Sequence, residues 1–185
     1  PAPGPQDPRL AGGDLLLVKA LKSSDQMERI HAIWGLGIVA RRGSVPIVSN
    51  SGFADLPNLT RRREAGLRIA EMLTHEDEET RVQALRTLSD SGLPGEELKV
   101  AKLLIDKSDR VRFHAALAVG KMGLVGQFGA ICELLRQNDN KDVFLRHAGI
   151  FALEKMGAKG VTISMLKSDK SPAVRLAATV ALRRL

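Results

Sequence analysis

Five segments of the chain repeat one pattern around an arginine, and this self-similarity constrains the fold more than any other feature of the sequence. Each arginine follows an acidic or polar turn, with Ala or Gly three residues later and Leu or Val seven residues later. A fixed period of a few tens of residues is typical of repeat architectures. Because the small and large apolar residues share one helical face, each segment predicts the second helix of a helix pair. The repeat arginines are Arg29, Arg81, Arg112, Arg146 and Arg175.

The spacing of the repeat arginines sets the domain organisation. Successive arginines lie 52, 31, 34 and 29 residues apart, so three intervals match one helix–turn–helix unit and the first is longer. Residues 42–61 are rich in Pro, Gly, Ser and Asn, which predicts a loop insertion in that first interval. Residues 1–12 begin with a Pro-rich run typical of an extended linker, and residues 13–185 are predicted to form one repeat domain.

The predicted fold class is all-α, an α-solenoid of about five helix pairs stacked with a right-handed sense. Aromatic residues make up 3% of the chain, so the core must be filled by Leu, Ile, Val, Ala and Met, which suit close helix packing. The predicted pairs are 13–23 with 25–41, 62–74 with 77–89, 95–106 with 109–122, 126–137 with 141–156, and 159–167 with 171–185.

Two repeats carry a recognisable family pattern. The stretch Val111–Gly120 and the stretch Val174–Ala178 resemble HEAT repeats of the short, bilin-lyase-like kind. This resemblance covers nearly everything from residue 13 onward. It implies the helix-pair fold, and it leaves function open because repeat folds of this type serve many roles.

A more specific resemblance lies in the first repeat. The stretch Glu28–Gly37, which reads Glu-Arg-Ile-His-Ala-Ile-Trp-Gly-Leu-Gly, is similar to the HEAT region of planctomycete-type membrane-bound dehydrogenases. That resemblance implies a middle segment of a larger exported protein, between a sugar-dehydrogenase-like β-propeller and a c-type haem domain. The chain itself has no Cys-x-x-Cys-His motif, so the family's redox chemistry does not carry over to these residues.

The repeat arginines have two interpretations. They could form a ladder that binds phosphate or carboxylate groups, or they could pair with acidic residues of their own repeats. Asp109 with Arg112 and Asp142 with Arg146 have helical spacing. Because each arginine recurs with an acidic neighbour, we favour the structural interpretation.

The sequence predicts no catalytic residue, metal ligand or cofactor site. His31 and His114 occupy equivalent positions two units apart, too far to share one ion when neighbouring helices lie about 10 Å apart. His75-Glu76 is a single His-Glu pair, whereas di-iron sites need several. Cys132 is the only cysteine, which excludes an internal disulfide or a cysteine-based zinc site. We therefore predict that this segment is not an enzyme.

The second helices carry the candidate binding surface. Residues one, two and five positions after each repeat arginine should point away from the core of their own pair, and this stripe is unusually apolar. Aromatic residues on such a helical row are typical of an interface. The alternative is that the stripe packs against a first helix of the same or the next repeat. The partner-binding candidates are Trp34, Arg86, Phe113, Leu117 and Phe151.

The charge of the chain keeps a second function open. The net charge is +7, and basic residues cluster at Arg41-Arg42, at residues 61–63 and at Arg183-Arg184. A basic surface suits nucleic acid, yet the stacking residues of such proteins are scarce here. We predict a non-catalytic scaffold that binds a protein or a sister domain, with a basic nucleic-acid-binding module as the alternative. No stretch is apolar enough to insert into a membrane.

Overall fold

A computed structural model describes residues 12–41, 56–92 and 97–184, and the regular elements in these ranges are all helical, which confirms the predicted all-α class. Short 3-10 turns follow α3 and α5 and precede α7. The helices are α1 Gly12–Ala20, α2 Gln26–Arg41, α3 Leu56–Glu71, α4 Glu78–Ser91, α5 Glu97–Lys102, α6 Asp109–Lys121, α7 Phe128–Asn138, α8 Val143–Met156, α9 Lys159–Ser168 and α10 Pro172–Leu182.

The described helices fall into two compact units, while the single repeat domain over residues 13–185 stays a prediction. The first unit ends at residue 96 and contains α1 to α4; the second begins at residue 97 and contains α5 to α10. In repeat folds each helix pair contacts mainly its neighbours, so compactness is a local property that a sequence repeat does not reveal. We refer to these as unit 1 and unit 2.

Helix α3 corrects the predicted loop insertion. It begins at Leu56, so the last six residues of the predicted loop 42–61 are helical. Pro57 suggested a loop, but proline is tolerated in the first helical turn, where its missing N–H has no partner to lose. Residues 42–55, like residues 1–11 of the predicted linker, lie outside the described residues.

Each second helix begins at a side-chain cap four residues before the repeat arginine. Asp77 accepts from the Thr80 amide and Asp142 from the Phe144 and Leu145 amides, as the acidic turns predict. In two pairs the cap is instead a serine, Ser108 or Ser171. The nearby acidic residues Asp106 and Asp169 each accept the backbone N–H of that serine.

The repeat arginines fasten the turn between the two helices of a pair. The Nη1 of Arg29 donates to the carbonyls of Ser23 and Ser24 at 2.8 and 3.0 Å. Arg81 and Arg175 make the same two bonds to carbonyls six and five residues earlier, and Arg112 makes the first of them. Turn carbonyls that the helices leave unpaired thereby gain a charged donor.

Arg146 departs from this pattern. Asp139 and Asn140 of its turn have positive φ, and within the described residues the Arg146 guanidinium donates to no carbonyl of the turn. Asn138 replaces it by bonding the Asp142 carbonyl and amide at 2.8 and 2.9 Å. In this part of the chain Asp142 caps the helix and forms no side-chain pair with Arg146, whereas the predicted pair of Asp109 with Arg112 is present.

The core of each pair uses the predicted small and large positions. The small residues three positions after the arginine are buried in every pair. At Gly149 an added Cβ would lie 2.6 Å from Leu135 of α7, so this position lets the two helices of a pair approach closely. The large residues seven positions after the arginine are also buried, except the half-buried Leu182.

Glycines bring neighbouring second helices together inside each unit. An added Cβ on Gly37 of α2 would lie 2.3 Å from the Thr87 methyl group of α4, and one on Gly120 of α6 would lie 2.9 Å from the Ala152 Cα of α8. Both glycines stand eight residues after their repeat arginine. They therefore place the second helices side by side within a unit.

Asp77 gives the fold a pH-dependent contribution. Burial raises the pKa of the Asp77 carboxyl, but bonds from Thr80 and Gln26 and the nearby Arg29 charge outweigh this and lower the pKa to about 2. Since that is below the unfolded value of about 3.9, the stabilisation is present above pH ~4 and is lost towards pH ~2. Asp77→Ala should cost about 1 kcal/mol at pH 7. In paired urea titrations, the difference from wild type should shrink as pH falls; a constant difference would contradict the assignment.

Gly120 tests the close approach of α6 and α8. Gly120→Ala should destabilise the chain by roughly 1–3 kcal/mol, because the Ala152 backbone cannot move aside as a side chain could. Gly129→Ala in α7 is the matched control, since an added Cβ there meets nothing within 4 Å. Removing backbone freedom from the unfolded chain should make that variant more stable by about 0.5–1 kcal/mol. Thermal unfolding of both variants checks the opposite signs.

Candidate functional site

The second helices of unit 1 lie side by side and point in the same direction. Three bonds between α2 and α4 join residues at a nearly constant offset: Gln26 to Asp77, Arg29 to Thr80 and Trp34 to Gln83. In unit 2 the ring of Phe113 meets that of Phe144, and Gly120 faces Ala152, again at a nearly constant offset. Residues at nearby repeat positions, shifted by one to three residues, therefore become neighbours on the surface of each unit.

One face of these helices forms what we call the open row. It consists of the residues two before, five after and nine after each repeat arginine, and most of them are exposed. Helical geometry puts these three positions on one face. In unit 1 the open row is Met27, Trp34, Ile38, Glu79, Arg86 and Asp90; in unit 2 it is Arg110, Leu117, Lys121, Phe144, Phe151, Lys155, Ala173, Val180 and Arg184.

The open row overlaps the predicted stripe only in part. At the positions one and two after the arginine, His31, His147 and Leu176 are exposed, whereas five of the ten residues are buried: Ile30, Val82, Gln83, Ala148 and Ala177. Of the five partner-binding candidates, the structure places Trp34 and Arg86 on the surface of unit 1. Phe113, Leu117 and Phe151 are half-buried in unit 2.

Trp34 is the side chain of the unit 1 open row whose orientation is held most firmly by its neighbours. It is 45% exposed, and its indole Nε1 donates to the Gln83 side chain at 3.0 Å. Gln83 is buried and donates in turn to Glu79. The edge of His31 meets the indole at 5.4 Å between ring centroids, while its Nδ1 lies 2.8 Å from the Met27 carbonyl. The indole is therefore fixed in orientation while nearly half of it faces solvent.

Phe144 dominates the unit 2 row. It is 69% exposed and meets Phe113 edge to face, with ring centroids 6.4 Å apart. Phe151 lies two turns along the same face of α8, under the Lys155 ammonium at 5.7 Å from its ring centroid. Sequence reasoning missed Phe144, as it missed Met27 and Ile38. The spacing of seven and four residues along α2, from Met27 to Trp34 to Ile38, was the available signal.

No catalytic or metal-binding arrangement appears in the described ranges, where histidine, cysteine and carboxylate side chains form no group that could hold a metal ion. His31 contacts Trp34, and His114 contacts Phe113 at 5.0 Å between ring centroids. The Nδ1 of His75 accepts the Asp77 amide, so this histidine belongs to the cap of α4.

A small cavity of about 200 Å³ lies in unit 2 among α6, α7 and α8. Several of its polar lining residues bond within the protein: Arg112 pairs with Asp109, and Asn138 bonds to the Asp142 backbone. Ligand pockets usually exceed about 300 Å³ and present convergent polar groups. The small volume and the bonds already made by these polar groups therefore favour a packing gap over a ligand pocket.

Comparisons with known proteins identify the fold. Residues 66–154 match the family model of HEAT repeats. The complex of CpcE and CpcF of phycocyanin lyase from Nostoc sp. PCC7120 is similar over 100% of this chain and 68% of that chain, with 21% identity and a TM-score of 0.66. No curated relative matches the sequence.

Two artificial proteins show the same likeness. A designed armadillo repeat protein in complex with the peptide (KR)4 is 19% identical over 91% of this chain and 80% of that chain, with a TM-score of 0.52. An engineered protein is 19% identical over 94% and 79%, also at 0.52. The chain thus has the helix-pair fold of HEAT and armadillo solenoids, as predicted. Among the described helices, none has the length and apolar character to cross a membrane.

Cys132 should be chemically inert in the folded chain. It is 2% exposed on α7. Burial and the nearby Asp169 charge raise the pKa of its thiol and the Arg136 charge lowers it, and together they leave the pKa at about 11. Since the thiolate is the reactive form, a disulfide reagent at pH 8 should label Cys132 only after unfolding. Rapid labelling of the native protein, with denatured protein as the control, would contradict this assignment.

Proposed function

We propose that this chain is a non-catalytic scaffold that binds a protein partner through the open rows of its second helices. The observation that carries the proposal is the exposure of large apolar side chains at repeated positions of these helices, with Trp34 and Phe144 foremost. The HEAT and armadillo fold supports it, because stacked helix pairs present extended surfaces for binding.

The rigidity of Trp34 strengthens the case for a binding surface. Its indole N–H is already satisfied by Gln83, so a partner can cover the remaining apolar face without leaving a buried polar group. A side chain fixed before binding also loses little conformational entropy on association. Tryptophans with these properties commonly contribute about 2 kcal/mol or more to an interface.

The exposed apolar side chains of the first helices do not form an equivalent surface. Leu16 of α1 and Leu59 of α3 are exposed, yet no described residue three or four positions from either is another large exposed apolar side chain. Isolated apolar side chains are normal on protein surfaces, whereas a run of them on one face marks an interaction site. The open row is therefore the better candidate for a binding surface.

The partner can be a separate protein or a sister domain of the same polypeptide. The resemblance of residues 28–37 to planctomycete-type membrane-bound dehydrogenases favours the second form, with this chain between a β-propeller and a haem domain. Sequencing the gene on both sides tests this: flanking regions without propeller repeats and without a Cys-x-x-Cys-His motif would remove it.

Nucleic-acid binding is the alternative function, supported by the net charge of +7. Several arginines of the predicted basic clusters are bonded within the chain: Arg61 to Asp14, Arg62 to the Ala40 carbonyl and Arg184 to Glu154. Phosphate binding would have to compete with these bonds. A salt titration with duplex DNA decides, because phosphate contacts make affinity fall steeply with salt.

Trp34→Ser tests the proposed function. A partner captured from the source cells by cross-linking, identified and purified, should bind the variant at least about tenfold more weakly, as loss of a tryptophan anchor predicts. Trp34 is the only tryptophan and the chain has no tyrosine, so its fluorescence reports binding to the wild-type protein directly. Calorimetry measures the variant.

Leu59→Ser is the matched control, since it removes an exposed apolar side chain from a first helix of the same unit. It should leave affinity unchanged, and circular dichroism should show both variants folded. Equal affinity of Trp34→Ser and wild type would contradict the assignment of the unit 1 row. Phe151 is less suitable for this test, because its ring packs against Gly120 and truncation would disturb helix contacts.

A further inference from the structure

The second helices of unit 2 combine aromatic exposure with an excess of positive charge. Their only acidic residues, Asp109 and Glu154, are both ion-paired within the chain: Asp109 with Arg112, and Glu154 with Arg184 at 3.2 Å and Lys155 at 3.7 Å. The basic residues of α6, α8 and α10 outnumber these two acids; they are Arg110, Arg112, Lys121, Arg146, Lys155 and Arg175.

The second helices of unit 1 lack this excess. The acidic residues Glu28, Glu78, Glu79 and Asp90 match the basic residues Arg29, Arg41, Arg81 and Arg86 in number. The positive charge on second helices is therefore a property of unit 2, where it borders Phe144. Complementary charge governs which partners approach a surface and how fast they associate.

We infer that the open row of unit 2 binds an acidic segment of a protein, with an aromatic or aliphatic side chain of that segment on Phe144 and carboxylates near Lys155 and Arg110. This inference rests on the proposed function and specifies its partner. Phe144 provides the exposed apolar contact, and Phe113 supports its ring from the side. Lys155 lies three turns further along the same face of α8, so a partner segment running along the helix meets both.

A protein segment fits this surface better than a nucleic acid does. Bases stack on the open faces of aromatic rings, but the Phe151 face is occupied by the Lys155 ammonium. Phosphates favour arginine forks, and Arg112 and Arg175 already donate to carbonyls of their own turns. The ring of Phe144 remains as an apolar contact, which a Leu or Phe side chain can cover.

The test uses the whole chain and three labelled synthetic peptides. The first alternates Glu and Asp with Phe and Leu; the second replaces its acidic residues by Lys; the third replaces Phe and Leu by Ser. Fluorescence anisotropy at low and physiological salt gives each affinity, and duplex DNA serves as a competitor. We expect the first peptide to bind most tightly and to weaken as salt rises, because exposed charge pairs are screened.

Four variants locate the contact. Phe144→Ser should weaken binding of the first peptide about tenfold. Lys155→Glu should weaken it about fivefold or more and reduce its salt dependence, since an attractive charge becomes repulsive. The matched controls are Ile105→Ser, which removes another highly exposed apolar side chain of unit 2, and Lys107→Glu in the neighbouring turn. Both controls should stay within about twofold of wild type, as rim positions do.

The inference would be overturned if the basic peptide bound more tightly than the acidic one, or if duplex DNA bound more tightly and displaced the acidic peptide. Equal effects of the test and control variants, or no binding by any of the three peptides, would overturn it as well. The Trp34→Ser experiment on the captured partner is read separately. If the partner still depends on Trp34 while the acidic peptide fails, the partner chemistry is wrong and the scaffold function stands.

Discussion

A guanidinium that donates to the carbonyls of an interhelical turn is the interaction on which the arrangement of the helix pairs depends. A turn between two helices leaves carbonyls without intrahelical partners, and a buried carbonyl without a donor costs about 1–3 kcal/mol. Arg29, Arg81, Arg112 and Arg175 supply that donor from the first turns of the second helices. Because the donor comes from the second helix and the acceptors from the turn, the bond fixes how that helix leaves the turn. This in turn sets which residues face the first helix and which face solvent.

The fourth pair shows that the turn needs side-chain hydrogen bonds, which do not have to come from the repeat arginine. There Asp139 and Asn140 adopt left-handed backbone conformations, and the Asn138 side chain bonds the Asp142 backbone instead. Asn and Asp tolerate positive φ better than other residues with side chains, which allows this substitute turn. Because Asn138 already holds this turn, the turn does not depend on Arg146. The sequence repeat therefore has an arginine at position 146, although the bond to the turn carbonyls that the other repeat arginines make is absent there.

The fold could be read from the sequence because its determinants are local and periodic. The small residue that faces the first helix, the large residue one turn later on the same face and the cap before them recur at fixed distances along the sequence. Because the helical period puts the small and large residues on one face, their positions predict their burial. The surface was harder to predict because it depends on neighbouring pairs. Gln83 and Ala148 should point away from the core of their own pair, yet both are buried, since a neighbouring second helix of the same unit lies beside them; for Gln83 this helix is α2, whose Trp34 donates to it. Trp34 and Arg86 stood out from their position five residues after the arginine, whereas Phe144, two residues before one, lay outside the stripe considered.

The same close approach that builds the units therefore also decides where they can bind. Gly37 and Gly120 bring neighbouring second helices together, and this contact covers the lateral positions of both helices. The face that carries the open row stays mostly exposed, and it offers three positions per helix. A binding surface made from so few positions gains specificity by varying residue type from one repeat to the next. In unit 1 the row changes from Met27, Trp34 and Ile38 on α2 to Glu79, Arg86 and Asp90 on α4; in unit 2 aromatic and basic residues share α8. The arginine and glycine positions keep the helices in register, so these row positions can differ in chemistry without altering the framework beneath them.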